Sequence, residues 1–398
     1  MRSERNPMII DKADRLDKVG EYFFSRKLRE VAKLRARGHD IINLGIGSPD
    51  LPPSPQTVAA LELAASDPRS HGYQPYNGTS ELRSAFAAWY KRSYQVDLEA
   101  DTQILPLLGS KEGIFHISQA FLNSGDQVLV PDPGYPSYAA VTRLVGASPI
   151  FYDLTEETGW FPDLSELARD DLSRVKLMWI NYPHMPTGAV ARQRDFERLV
   201  DFSLAHEILL CHDTPYGLIL NAAPPLSILR CPRAFECCLE LNSLSKNHHM
   251  AGWRVGMVAG ASEYLQAILT IKSNMDSGMF LPVQKAAVAA LKNSQAWHAE
   301  QNQIYRRRRE LACKLMETLD CSYAIDRPGL FVWARVPQQV DDVTSFLDQL
   351  LYEAGVFLAP GIIFGRNGER YLRASLCVEE SLLEEAIRRI RSFIEGKP

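Results

Sequence analysis

Between residues 103 and 260 the chain alternates short apolar runs with amphipathic stretches of helical period, and few folds accommodate that alternation. The apolar runs are Gln103–Leu108, Gln127–Pro131, Pro149–Tyr152, Lys176–Asn181, Ile208–His212, Cys237–Leu241 and Val255–Gly260. Each has the length of a strand, and near-continuous hydrophobicity suits strands covered on both faces. Helical stretches between them include Lys111–Leu122, Ser137–Leu144, Arg192–Ala205 and Glu263–Lys272. Strand, helix and strand in repetition give βαβ units around a mainly parallel sheet, so the expected class is α/β.

The pattern changes after Gln284, where a long helical stretch is expected through Ala290 and the run Arg306–Arg309 toward Leu319. Leu330–Val336 and Tyr371–Leu376 read as strands, and Val343–Glu353 and Glu379–Ile394 as helices. Near the N-terminus, Phe23–Ala36 reads as helix and Ile41–Leu44 as extended. The expected division is a large domain over residues 48–290 and a smaller α+β domain built from 1–47 and 291–398. The arginine run reads as a solvated helix face.

A formal net charge of −4 over 398 residues gives no electrostatic case for nucleic acid or an anionic membrane, so small molecules are the expected partners. The seven cysteines include no CxxC pair and sit mostly in apolar runs, as reduced core residues of a cytoplasmic protein do. No apolar stretch approaches the ~18 residues of a membrane span, and the N-terminal residues lack a signal-like apolar region.

The chemistry concentrates in Ser243-Leu-Ser-Lys246-Asn-His-His-Met-Ala-Gly-Trp-Arg254. A lysine that acts as an amine nucleophile needs neighbours that lower its pKa or take its proton. Ser243, Ser245 and Arg254 supply the hydroxyls and guanidinium that hold a phosphate monoester dianion. Ser-x-Ser-Lys alone is also a common helix start, but the longer string Ser-x-Ser-Lys-x-x-x-Met-x-Gly-Trp-Arg-x-Gly is too specific for chance.

With this string the sequence resembles the class I/II aminotransferases of the fold-type-I pyridoxal-phosphate enzymes, and the resemblance extends over nearly the whole chain. It implies a large domain with a mainly parallel seven-stranded sheet, a smaller α+β domain, pyridoxal 5'-phosphate as cofactor, and amino-group transfer between an amino acid and a 2-oxo acid. It also implies that Lys246 bonds the cofactor covalently and moves the proton in the reaction. In Cys211-His-Asp213-Thr-Pro-Tyr216, Asp213 is expected at the pyridine nitrogen and Tyr216 at the phenolic oxygen.

In Gly109-Ser110-Lys111-Glu112, a strand gives way to a helix start, and the backbone amides of Ser110 and Lys111 are expected to cradle the phosphate. The Lys111 side chain is a second candidate, for a substrate's distal carboxylate. Tyr135, in Asp132-Pro-Gly-Tyr135, is expected over the cofactor ring. Tyr138 reads as a core residue. Tyr73, in Gly72-Tyr73-Gln-Pro, is expected to reach the phosphate of a neighbouring subunit, which implies a homodimer with shared active sites. Arg373 is expected to clamp the substrate α-carboxylate, with Gly47 backbone beside it.

The chain departs from the family pattern at Met185, which occupies the asparagine position of Asn-Pro-Thr-Gly. A thioether cannot replace an amide donor; His184, His248 or a water is a candidate to compensate, while His248 and His249 read either as groups that tune substrate choice or proton transfer or as an inert rim. No convincing metal-ligand spacing accompanies them. The branch most similar in appearance is the bacterial LL-diaminopimelate aminotransferases, with Lys111, Asn274 and Asp276 as polar groups for a charged distal end. A pyridoxal-phosphate lyase and a degenerate cofactor-binding regulator are the other readings.

Overall fold

The computed structural model of the chain describes residues 9–21 and 23–396. Its main sheet has seven strands in the order Ile104–Leu107, Gly256–Gly260, Cys238–Ser243, Leu209–Asp213, Val175–Ile180, Gln127–Asp132 and Ser148–Asp153. Gly256–Gly260 is antiparallel to both neighbours and every other pairing is parallel. The reversal has a local cause. Residues 244–255 hold only the one-turn helix Leu244–Asn247 and the turn Ala251–Trp253, too little to recross the sheet, so the chain doubles back.

The parallel strands are covered on both faces, as their hydrophobicity requires. In Val175–Ile180, residues Leu177, Met178, Trp179 and Ile180 are fully buried. The helix Ser110–Phe121 packs between Ser137–Leu144 and Ser262–Ser273 on one face. A second, antiparallel sheet contains Ala359–Pro360, Tyr371–Ser375, Phe331–Arg335 and Ser322–Tyr323 in that order. Ile42–Asn43 pairs in parallel with Val356–Phe357, which ties the N-terminal segment to the C-terminal part of the chain.

Three local expectations change. The long helix after Gln284 is two helices, Leu281–Ala290 and Gln295–Thr318. The second has its own start signal, the Ser294 side chain accepting the Trp297 N–H. Arg308 is not solvated: it is 3% exposed, pairs with both oxygens of Asp50 at 2.7 and 2.8 Å, and donates to the Leu376 carbonyl. Finally, the strand expected to end at Leu241 continues through Asn242 and Ser243, because the Asn242 amide is satisfied inside the core by the Tyr90 and Tyr94 hydroxyls.

Candidate active site

Parallel strands deliver their C-terminal ends to one edge of the sheet, and ligands of open α/β sheets bind along that edge. Asp213 ends Leu209–Asp213, Ser243 ends Cys238–Ser243, and Asn181 follows Val175–Ile180 there. The reversed strand brings its beginning to the same edge, so Arg254 arrives just ahead of Gly256. A cavity of about 400 Å³ opens at this edge, lined by these residues and by Arg373, Phe331 and Phe364 of the C-terminal part.

Lys246 projects into the cavity from the one-turn helix and donates to the Gly47 carbonyl at 2.5 Å. Burial pushes its pKa down from the ordinary lysine value; Cys377 opposes this, and the Arg373 and Arg254 guanidinium groups add to it. Gly47 has to be glycine because a Cβ there would lie 2.2 Å from Cζ of Phe331.

The turn that follows Ile104–Leu107 meets Arg254. Gly109, with φ at +90°, precedes the helix Ser110–Phe121, and a Cβ on it would lie 2.2 Å from Nη2 of Arg254. Arg254 itself holds a left-handed φ of 59°. Its Nη1 donates to Ser245 Oγ at 3.3 Å and to the Ala251 carbonyl at 2.8 Å, and its Nη2 donates to the Leu108 carbonyl at 3.3 Å. Ser243 Oγ accepts the Ser245 N–H at 3.0 Å. A guanidinium, two hydroxyls and a helix N-terminus thus converge on one corner of the cavity.

At the opposite side, Asp213 is 5% exposed and its Oδ2 accepts the Tyr138 hydroxyl at 3.0 Å. Burial lifts its carboxyl to about 6 against the opposing pull of Tyr138, His212 and Ser110. Asn181 donates to the Asp213 carbonyl at 2.5 Å and accepts the Met185 N–H at 2.7 Å. Tyr216 and Tyr135 line the cavity. Burial raises the Tyr216 phenol, with Arg373 opposing.

Arg373 is 4% exposed and lies over the Phe331 ring at 3.8 Å and the Phe364 ring at 4.6 Å. Its Nη2 donates to the Gly45 carbonyl at 2.7 Å and its Nη1 to the Met185 sulfur at 3.3 Å. The thioether absent from the usual pattern is therefore in contact with the arginine.

Of the residues expected from sequence, Lys246, Asp213, Tyr216, Ser110, Lys111, Tyr135, Ser243, Ser245, Arg254, Arg373 and Gly47 all line this one cavity. Tyr73 does not: it stands 92% exposed on the surface of the chain. Asn274 and Asp276 are also outside the lining, the first bonded to the Thr270 carbonyl and the second ion-paired with Lys272. His184, His248 and His249 face other side chains. His184 bonds Thr187 and is held down to about 3 by burial, while His248 and His249 pack on Trp297.

Tyr138, read from sequence as core, is both buried and bonded to Asp213, and Asn181 was missed altogether. Phe24, Ser25 and Leu28 of the N-terminal helix also reach the cavity. Among the described residues, Glu112, His116 and Asp276 come within metal-ligating distance of one another, but the Lys272 ammonium already supplies a cation there.

A depressed amine beside an anion cradle and a buried carboxylate suits a cofactor with a carbonyl, a phosphate and a basic ring nitrogen. The residues fit such a group. Ser110 Oγ and Asp213 Oδ1, both buried and both at the cavity, make no hydrogen bond of normal geometry within the chain. Fold and site together define a fold-type-I pyridoxal-phosphate enzyme.

The family described as aminotransferase class I and II matches residues 39–390, and the chain belongs to it. It is 39% identical over 380 residues to an LL-diaminopimelate aminotransferase of Dehalococcoides mccartyi, covering 95% of this chain and 98% of the relative. The corresponding enzyme of Moorella thermoacetica is 40% identical over 388 residues, covering 97% and 99%. Among solved structures, substrate-bound BacF of Bacillus subtilis superposes with a TM-score of 0.93 at 34% identity, covering 97% of this chain and 98% of that one. A Thermus thermophilus aspartate aminotransferase gives 0.89 at 26% identity, with 96% and 99% covered. The cofactor is pyridoxal phosphate, and the reaction transfers an amino group between an amino acid and a 2-oxo acid. Among the described residues no helix is long and apolar enough to cross a membrane.

Proposed function

We propose that Lys246 bonds the cofactor's carbonyl carbon and carries the proton of the transamination, in a site that two copies of the chain complete together. The observation behind this is the buried amine at the cavity floor, held below its ordinary pKa and 2.5 Å from the Gly47 carbonyl. More of such an amine is neutral near pH 7 than of an exposed lysine, and the neutral form is the nucleophile and base.

Pyridoxal phosphate, when bound, supplies an electron-accepting ring for the electron pair left by breaking the substrate α-C–H bond. Asp213 holds a proton at the pyridine nitrogen, with Tyr138 fixing its orientation. Arg254, Ser110, Ser243, Ser245 and the backbone of Lys111 would hold the phosphate, Tyr216 would donate to the phenolic oxygen, and Tyr135 would cover the ring. Arg373 receives the α-carboxylate beside Gly47, its guanidinium oriented by two phenyl rings. Lys246 would be the base that takes the substrate α-proton and holds it for return.

Residues 48–290 form the cofactor-binding domain in this reading, and 1–47 with 291–398 form the smaller domain that carries Arg373. Exposed Tyr73, Tyr76 and Phe280 support a dimer contact, with Tyr73 reaching the partner's phosphate. Seven free cysteines support a reducing, cytoplasmic setting. LL-Diaminopimelate is the donor that full-length identity near 40% supports, with Lys111 on the rim for its distal carboxylate.

The test is chemical trapping. Borohydride reduction of the holoprotein, followed by peptide mass mapping, is expected to place one cofactor adduct on Lys246. Lys246→Ala is expected to carry none while still binding the cofactor reversibly. An adduct on a different lysine would refute the assignment. Sedimentation of wild type and Tyr73→Ala, with turnover measured on both, addresses the shared site.

A further inference from the structure

The Leu108 peptide sits between two charged side chains. Its carbonyl accepts Nη2 of Arg254 at 3.3 Å, and its N–H donates to Oε2 of Glu112 at 2.5 Å. Glu112 lies on the first turn of the helix Ser110–Phe121, directly below Gly109, Ser110 and Lys111. Its side chain is only 9% exposed, and a buried carboxylate needs compensation.

Compensation comes from a different helix. Lys272, at the end of Ser262–Ser273 and 2% exposed, places Nζ 4.0 Å from Oε1 of Glu112 while ion-pairing with Asp276. Asp276 in turn accepts the Gly278 N–H at 2.9 Å. His116 completes the cluster, with Nε2 at 3.2 Å from the same Glu112 oxygen. None of these four residues lines the cavity.

We infer that Glu112 is a positioning residue for phosphate binding. With the Lys272 ammonium 4.0 Å away, its carboxylate fixes the Leu108 peptide, and the other face of that peptide fixes Arg254. Two parts of the cradle, the backbone turn and the guanidinium, are thereby set by one carboxylate that never touches the ligand. Without Glu112 the Leu108 N–H loses its buried acceptor, the peptide is free to rotate, and the Arg254 contact with its carbonyl is lost with it.

The inference rests on reading this corner as the phosphate site, and the test separates the two. Equilibrium binding to the apoprotein is measured for pyridoxal phosphate and for pyridoxal, which lacks the phosphate, using wild type, Glu112→Ala, Glu112→Gln and Lys272→Met. Wild type binding the two ligands equally would defeat the phosphate-site reading itself. Glu112→Ala is expected to weaken pyridoxal phosphate by roughly 10- to 100-fold and to leave pyridoxal within about 3-fold. Glu112→Gln, which keeps an acceptor oxygen and the side-chain shape, is expected to recover most of the loss, and Lys272→Met to fall between. Equal weakening of both ligands by Glu112→Ala would reduce Glu112 to a general structural role, and an unchanged pyridoxal phosphate affinity would overturn the inference.

Discussion

Replacing Asp213 with asparagine removes a buried charge from the site, and the consequence for the apoprotein is calculable. Burial raises this carboxyl from 3.8 to about 6. At about 1.4 kcal/mol per pH unit, the folded apoprotein bears a penalty of about 3 kcal/mol once the group is ionised in both states. The sign follows from the order of the two pKa values. Well below 3.8 both states are protonated and no penalty exists. Between about 3.8 and 6 the unfolded chain ionises first, so the folded state loses relative stability, and above 6 the loss is complete. Asparagine, nearly isosteric, can still accept the Tyr138 hydroxyl and never ionises. Denaturant unfolding of apo wild type and apo Asp213→Asn should therefore give matching stabilities near pH ~3. At pH 7.5 the variant should be more stable by about 3 kcal/mol. Cofactor should reverse the ranking, because asparagine cannot hold the pyridine nitrogen protonated, and turnover should fall by several orders of magnitude. A stability gap that is independent of pH, or wild type the more stable apoprotein at pH 7.5, would refute the reasoning.

Gly109→Ala combines a φ of +90° with a Cβ 2.2 Å from Nη2 of Arg254, so titration with cofactor should show affinity reduced by about tenfold or more. Arg373→Lys keeps the charge but loses the planar fork held by Phe331 and Phe364; steady-state kinetics should show kcat/KM for the amino donor reduced by roughly 100-fold with cofactor affinity nearly unchanged. Arg308→Met leaves the Asp50 carboxylate without its bidentate partner, and unfolding in urea should show a loss of roughly 2–3 kcal/mol.

The sheet was legible because its strands announce themselves: a parallel strand covered on both faces has no polar face to confuse with a helix. Its boundaries were less legible where polar residues continue a strand. Asn242 looks like a loop residue until Tyr90 and Tyr94, some 150 positions away, supply its partners. The residues expected to hold the cofactor and the α-carboxylate sit in short strings whose residue types the chemistry dictates, and eleven of them line one cavity. Tyr73, expected to serve a neighbouring subunit, is exposed on its own chain.

What the strings could not convey was the second layer. Glu112 reads as an ordinary first-turn acid in a sequence; only folding shows it facing Lys272 from another helix. The polarity of Asn274 and Asp276 suits the mouth of the site, yet polarity does not say where a loop points: Asn274 bonds the Thr270 carbonyl, and Asp276 holds Lys272 and the Gly278 N–H. Of the two readings open for the histidines after Lys246, their packing on Trp297 favours the inert one: proximity in the chain to a reactive lysine is not proximity to its amine.

The reversed strand has one more implication. Lys246 and Arg254 stand at the two ends of a single short excursion of chain, whereas Asp213, Tyr135, Arg373 and Gly47 come from distant parts of the sequence. The span from amine to guanidinium thus resembles the opening of a caliper, its jaws joined by residues 247–253 and braced by Gly47 on one side and Leu108 on the other. Lengthening that excursion by one residue shifts one jaw against the other.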